Sequence, residues 1–564
     1  ELDMITKGLK FTGLFSFKNY SSSSTERSAS YNHYYMSSYD PSSMEYKITR
    51  IGDEQSTALT NDGSRNGDRK MYFQAILDYN RIFKEVHDLN IMFLYNQEQY
   101  DINGPTTLFS SLPQRKQGVA GRVSYSYDGR YYIEGNFGYN GSENFAKGHR
   151  FGFFPSIAVG YNISNEKFWQ PIKPVISNLK IRGSWGLVGN DATNAGRFAY
   201  MEDLVLGGSD SYTTGIRQDT YYSGPSWNRY FNPDLTWEVG EKINLGLDLQ
   251  LFNDFNLTFD IFREKRRDIF MTRENSIPEI VGTGETKITS NNGEMENKGL
   301  DLAIDYNKQI TKDFFLSFKS TLTFARNKVL KMDEPPYFEY PGLSDVGHPL
   351  GTYWGYVADG LFPDQETIDN SPRQDLGYTP QPGDIKYVNQ PNAKGEYDNV
   401  INSNDRVAIG HPYDPELVYG FGPSMKWKNW DFSFFFQGVA RTSFMMYGMH
   451  PFGTTSIKNM LQFVADDHWS VDNPNPNAAY PRLTKDSNGN NDQYSTYWLR
   501  NAAFLKLKNA EIGYTYKGMR FYLSGVNLLT FSPFKHWDPE MGGGNGLYYP
   551  TQRVFNIGFQ MTIQ

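Results

Sequence analysis

The chain has 564 residues, of which 21% are charged and 38% hydrophobic, and it holds 40 Tyr, 40 Phe and 52 Gly. Mean hydropathy is −0.60 and no run approaches the ~20 apolar residues of a membrane helix, which excludes a helical membrane protein; an aromatic content of 16% excludes a disordered chain. A net charge of −8 without a basic stripe excludes a nucleic-acid partner, and zero cysteines exclude thiol nucleophiles, disulfides and cysteine zinc sites.

Glu1–Thr6 is neither basic nor followed by an apolar core, so no signal peptide is expected there; the segment reads as a partial strand of a longer protein. Beyond it, period-two alternation dominates. In Val119–Asp128 the residues Val119, Val123, Tyr125 and Tyr127 share one face, and Arg122, Ser124 and Ser126 share the other. Asp128-Gly129 is a strong hairpin turn, and alternation resumes with Tyr131, Ile133, Phe137 and Tyr139. Ile243, Leu245, Leu247, Leu249 and Leu251 alternate with Asn244, Gly246, Asp248 and Gln250 up to the turn Asn253-Asp254. Phe255, Leu257, Phe259 and Ile261 continue on the other side of it. Near the end, Phe555, Ile557, Phe559, Met561 and Ile563 alternate with Asn556, Gly558, Gln560 and Thr562.

The pattern gives about seventeen strands. After the partial one they begin near Leu9, Asp68, Val86, Gln114, Arg130, His149, Asn178, Trp237, Phe255, Gly299, Phe314, Glu416, Trp430, Ala502, Arg520 and Thr551. In Ala502–Tyr516 the apolar parity shifts between Leu507 and Ile512, which predicts a β-bulge. Tight turns at Ile82–Glu85, Asp128-Gly129, Asn253-Asp254, Asn307–Lys312, Lys428-Asn429 and Lys517–Met519 alternate with long connections. The long ones are Ser21–Gly67, Asp101–Pro113, Asn190–Asp234, Met271–Lys298, Lys331–Pro415, Thr442–Leu499 and Leu528–Pro550. Ser164–Ser177 is a longer linker on the short side. A water-soluble sandwich would have shorter strands. Short turns on one rim and long loops on the other predict an all-β, antiparallel transmembrane barrel, with short periplasmic turns and long extracellular loops. Trp427 and Trp430 around Lys428-Asn429, and Tyr125, Tyr127 and Tyr131 around Asp128-Gly129, read as an interfacial girdle against outer-membrane lipid. Counting strand directions back from the last one predicts an odd number of strands before Glu1, since an open edge in lipid leaves backbone groups unpaired.

Specific strings then carry a resemblance. They are Asn136–Ser142, Gly152–Ser156, Leu179–Gly186 with Gly189-Asn190, Leu235–Glu238, Asn244–Asp248 and Gly293…Asn297–Asp301. Gly351–Phe362, Pro382–Tyr387, Asp405-Arg406…Gly410, Tyr497–Leu507, Gly525–Leu529 and Asp538-Pro539-Glu540 follow in order. Together they resemble the SusC/RagA family of TonB-dependent outer-membrane transporters. The resemblance implies a barrel of about 22 strands around a plug, energised through TonB and capped by a SusD-like lipoprotein. On that reading residues 1–564 are the C-terminal part of the barrel domain. The plug domain, the TonB contact and about five strands would lie upstream of Glu1. The function it implies is active import of nutrient oligomers, glycan or peptide. The alternative is a passive large porin or a surface-adhesion barrel.

No enzyme is expected. The histidines, among them His33, His149, His450 and His468, form no ligand pair and no elbow with a serine. His87 shares a face with Leu89, Ile91 and Phe93 and reads as an interfacial histidine near a turn. No cofactor and no metal are expected. Val388–Glu396, where relatives carry a calcium-like loop, has Pro391 and Lys394 instead of oxygen ligands. Asp486–Asp492 has calcium-loop composition, but its sixth position is Asn491 and its twelfth Tyr497, so it reads as a flexible loop tip. The final residue is Gln564 where the family ends on an aromatic one, a part Phe555 and Phe559 can take.

The candidate substrate contacts are exposed loop aromatics, which stack on sugar rings or grip peptide side chains. They are Tyr221, Tyr222 and Trp227 in one loop and Tyr337, Tyr340, Tyr353 and Trp354 in the longest. For Tyr353 and Trp354, inside the family-like string, packing of loop on loop is the preferred reading, as it is, by a narrower margin, for Tyr221, Tyr222 and Trp227. The inward polar stripe (Arg122, Glu134, Asn136, Asn244, Asp248, Asp260, Asp301, Asp305) reads as plug-contact and hydration surface.

Overall fold

A computed structural model describes the chain except residues 56–57, 106, 193–195, 208–210, 274, 282–287, 449–451, 454–455, 458–459, 485–486 and 563–564. Period-two alternation becomes one 16-stranded antiparallel sheet whose strands neighbour each other in sequence order. They are β1 (Leu9–Ser28), β2 (Thr60–Phe83), β3 (His87–Asn103), β4 (Gln114–Tyr127), β5 (Tyr131–Ser142), β6 (Phe151–Asn162), β7 (Ile176–Asn190) and β8 (Glu238–Leu251). The second half is β9 (Phe255–Arg273), β10 (Ile288–Thr311), β11 (Phe314–Lys331), β12 (Leu417–Trp427), β13 (Trp430–Ala440), β14 (Phe504–Tyr516), β15 (Met519–Phe531) and β16 (Val554–Met561). No described helix is long and apolar enough to cross a membrane.

The strand count differs from expectation by one. Glu1–Thr6 is no strand: Leu2 N–H donates to the Leu9 carbonyl at 2.8 Å, and the Asp3 carboxylate accepts from Gly8 N–H at 2.9 Å. A capped turn therefore occupies the place given to the partial strand. With sixteen strands and not seventeen, the odd count before Glu1 no longer follows. The long connection Ser21–Gly67 is also narrower than read, because β1 runs on to Ser28 and β2 starts at Thr60. The Ser21–Ser24 run pairs fully across this extension, with Ser24 opposite Ser64. Inside 29–59 a free-standing hairpin pairs His33–Asp40 with Glu45–Ile51.

Two of the tight turns show the left-handed geometry hairpins need: Asp128 and Gly129 have φ of 54° and 60°, Phe252 and Asn253 54° and 60°. The parity shift in β14 is a bulge. Register jumps between Leu507 and Asn509, leaving Lys508 unpaired opposite both neighbouring strands. The girdle forms as expected on the short-turn rim. Tyr131 stacks on Tyr161 with centroids 5.1 Å apart, and Trp430 meets Tyr514 at 4.8 Å. His87 joins it, its Nδ1 2.8 Å from the Tyr125 hydroxyl.

The wall has no core of its own. Its outward apolar side chains stay exposed, as at Phe153, Leu245, Leu523 and Ile557. Its inward face is an ion-pair lattice: Arg182 forks onto Asp260 at 2.6 and 2.7 Å and reaches Asp248 at 3.2 Å. The main buried core lies in the long connections.

Candidate binding site in the loop layer

The described residues of 332–416, 441–503 and 532–553 fold together above β11–β15. Tyr356, Ile385, Tyr387, Ile401, Phe444, Met446, Val464, Trp469, Tyr480, Trp498 and Phe534 form one buried cluster drawn from all three segments. Short pairings fix them: Tyr353–Gly355 with Val407–Ile409, and Ser443–Met445 with Leu499–Asn501. A second, smaller cluster of Phe145, Ala199, Leu235, Trp237 and Phe270 sits under the loop that follows β7.

A buried polar knot holds the layer. Gly383 has φ of 90°, and a side chain there would strike the Trp469 ring, its Cβ 2.2 Å from Cε3. The turn delivers Asp384, fully buried, to a run of asparagines a hundred residues away. Asp384 Oδ1 accepts from Asn488 Nδ2 at 3.0 Å and Asn491 Nδ2 at 2.8 Å, and Oδ2 accepts from Gln381 N–H at 2.8 Å. Arg482 Nε lies 2.7 Å from the same Oδ1. Asn490 Nδ2 donates to the Ile385 carbonyl at 2.8 Å, and Gln374 Oε1 accepts from Tyr387 N–H at 2.6 Å. The Tyr387 hydroxyl donates to the Asn490 carbonyl at 2.7 Å, and burial pushes its pKa up. The segment read as a flexible loop tip is therefore the opposite: Asn488, Asn490 and Asn491 are buried and bonded, because each amide replaces a lost water partner. Asp486 itself lies outside the described residues, as do His450, Ile563 and Gln564.

Beside this knot is a cavity of about 290 Å³, lined by Met446, Tyr447, Val464, Tyr480, Arg482, Asn491, Asp492, Tyr494 and Trp498. Arg482 is steadied by a bond from Nη2 to the Tyr378 hydroxyl at 2.7 Å. An apolar floor with a cation, a carboxylate, amides and phenols on its walls can hold an amphipathic, hydrogen-bonding ligand. Sequence reading missed it, because its walls come from positions with no alternation and no motif spacing. Among the described residues no group of three His, Asp or Glu could hold a metal ion.

The aromatic candidates lie elsewhere, and none of the seven lines this cavity. Tyr221 and Tyr222 stand exposed on a small hairpin, Ser211–Thr214 with Thr220–Ser223, where Tyr222 stacks on Tyr212 at 5.2 Å. Trp227 follows on Ser226–Arg229 and stacks on Tyr230 at 5.4 Å. Tyr337 and Tyr340 are half-buried ahead of the turn Pro341–Leu343, and loss of water raises the Tyr340 pKa. Tyr353 packs on the loop core, its pKa pushed up to about 12 by burial. Trp354 Nε1 donates to Asp345 Oδ1 at 2.6 Å and meets His348 edge-on at 5.1 Å. Tyr353 and Trp354 are thus engaged in loop packing, while Tyr221, Tyr222 and Trp227 are exposed on the loop surface.

Comparison with known proteins agrees with this architecture. The family model described as TonB dependent receptor-like, beta-barrel, matches residues 4–528, and the chain belongs to that family. It is 29% identical over 468 residues to TonB-dependent receptor SusC of Bacteroides thetaiotaomicron, covering 78% of this chain and 43% of that protein. It is 27% identical over 478 residues to TonB-dependent receptor P3 of Formosa agariphila, covering 78% of this chain and 45% of that one. The chain thus spans about half the length of the curated relatives it matches. The solved structure of the RagAB peptide transporter has the same fold, with a TM-score of 0.74 at 19% identity over 98% of this chain and 60% of that one. The sheet is therefore an outer-membrane β-barrel wall, with its tight turns on the periplasmic side and its long loops outside.

Proposed function

We propose that this chain is the wall and extracellular roof of a TonB-dependent importer that moves nutrient oligomers, glycan or peptide, across the outer membrane. Family membership supports the energised class. The observation that carries the reading furthest is the roof: three loops share a packed core beside a cavity of about 290 Å³. A passive porin or adhesion barrel, the second reading, has no need of a folded roof beside an amphipathic pocket. On the importer reading residues 1–564 are the C-terminal part of the barrel domain. The plug and the TonB contact belong to the rest of the protein, and the inward lattice around Arg182 faces that plug. A SusD-like surface lipoprotein acts as lid on the roof. Tyr221, Tyr222 and Trp227 are the substrate contacts this reading favours, with Tyr337, Tyr340, Tyr353 and Trp354 as a lower tier held in the roof. The protein performs no chemistry on its cargo and needs no cofactor.

The test is uptake of labelled oligosaccharide and oligopeptide mixtures by cells carrying the full-length receptor. Import should stop when the proton gradient is collapsed, and purification in mild detergent should bring down a second polypeptide. Uptake that continues without the gradient would establish the passive reading instead.

A further inference from the structure

The lipid-facing wall carries a charged device that import does not require. On β9 the outward residues Phe255, Leu257, Phe259 and Ile261 end at Arg263. On β10 the stripe Ile304, Leu302 and Leu300 ends at Lys298. On β11 Leu322 and Phe324 end at Arg326. The pairing register sets these three first charges directly opposite one another, Arg263 against Lys298 and Lys298 against Arg326. The next outward row reads Lys265, Glu296, Lys328. Like charges directly opposite across strands are unfavourable, so three adjacent cations call for an anion.

The protein answers the five cations of the two rows with three carboxylates, one of which, Glu416, is shared with Arg441. Glu296 takes Arg263 at 2.6 Å and Lys298 at 2.7 Å, Glu294 takes Lys265 at 3.0 Å, and Glu416 takes Arg326 at 3.1 Å. These carboxylates lie beneath the cations: Glu296 and Glu416 side chains are 12% and 4% exposed, against 51%, 59% and 57% for Arg263, Lys298 and Arg326. The surface offered outward is positive on a chain of net charge −8.

Its height names the ligand. Arg263 lies ten residues past the periplasmic turn at Asn253. At roughly 3.3 Å per residue and a tilt of about 40°, that is about 25 Å up, the full thickness of the apolar band. In the same pairing row, two strands away, Trp185 donates from Nε1 to Glu241 at 2.9 Å, an indole placed as interfacial tryptophans are. We propose that Arg263, Lys298 and Arg326, with Lys265 and Lys328 above, form a binding site for the phosphate head group of an outer-leaflet glycolipid, whose acyl chains lie along the apolar stripes below. The site is independent of what the receptor imports.

The test uses the full-length receptor in mild detergent, with retained lipid read by native mass spectrometry. Wild type should retain phosphorylated lipid A and should bind the dephosphorylated glycolipid at least about tenfold more weakly. Replacing the three cations together (R263Q, K298Q, R326Q) should lower lipid A retention by a similar factor and leave the weak binding unchanged. K298Q alone, the centre of the row, gives the same direction if the triple variant fails to fold. Inorganic phosphate at millimolar concentration should not displace the lipid. Equal retention of both lipids by wild type, unchanged retention in K298Q, or displacement by free phosphate would each overturn the proposal.

Discussion

Lys506, a fully buried lysine on the inner side of β14, holds two carboxylates at once: its Nζ lies 2.6 Å from Asp538 and 2.6 Å from Glu540. The contact clamps loop 532–553 to the wall, and Lys508, the bulge residue next to it, reaches Glu540 at 3.1 Å. The two lysines, two residues apart on one strand, reach the same loop. Removing one partner of a buried ion cluster leaves the others uncompensated, at about 3–5 kcal/mol. Lys506→Met should therefore release the loop. Trypsin should then cut at Lys535 in folded receptor, and the unfolding temperature should drop.

A second expectation concerns the lipid face. Leu247 points outward between Ile181 and Phe259, while Asn244 points inward. Leu247→Arg should cost about 2–4 kcal/mol near the bilayer midplane and lower the yield of heat-modifiable barrel in outer-membrane fractions. Asn244→Arg should leave that yield unchanged.

Gly383 gives a third. Alanine there must hold φ near 90° and would place its Cβ 2.2 Å from the Trp469 ring. The left-handed backbone alone costs about 1–2 kcal/mol. Gly383→Ala should displace Trp469, loosen the Asp384 knot and open Arg482 to trypsin, while the wall keeps its heat-modifiable mobility.

The fourth is acid sensitivity at the periplasmic rim, in the linker between β6 and β7. Glu166 accepts from the Tyr131 hydroxyl at 2.6 Å and from Arg130 Nη1 at 2.9 Å, and these donors hold its pKa below the ordinary 4.5. A depressed carboxylate contributes stability that is present above pH 4.5 and lost as pH falls through the lower folded value. Glu166→Gln should be less stable at neutral pH and lose less on acidification below pH 4.5. Melting curves of the two proteins across that range decide it; parallel curves would remove Glu166 from the account.

The wall was readable because a lipid-facing strand must alternate, and Ile243–Leu251 or Phe255–Ile261 alternate without a break. Where both faces are polar the signal vanishes, which is why β1 was read as ending at Ser21 and runs to Ser28. Glu1–Thr6 differs for another reason: local backbone bonds from Ile5 to Leu2 and from Leu9 to Thr6, with the Asp3–Gly8 bond, close a turn where a strand was expected. The roof was hidden more deeply. Asp384 meets Asn488 and Asn491 across a hundred residues of chain, and no local pattern announces such a partner. Asn, Asp and Gly in a row look the same whether they wave in water or saturate a buried carboxylate.

The shared core of the roof constrains how such a receptor can change its diet. Tyr356 and Tyr387 come from the first loop, Phe444 and Trp498 from the second, Phe534 from the third, and all pack in one cluster. A graft of any single loop from a relative brings one third of a jigsaw into a foreign remainder. It should strand apolar surface and misplace the cavity, whereas transplanting 332–416, 441–503 and 532–553 as a set carries the fit along with it. If the cavity binds cargo as proposed, its specificity would pass between relatives only with all three loops together, because splitting them breaks the shared packing first.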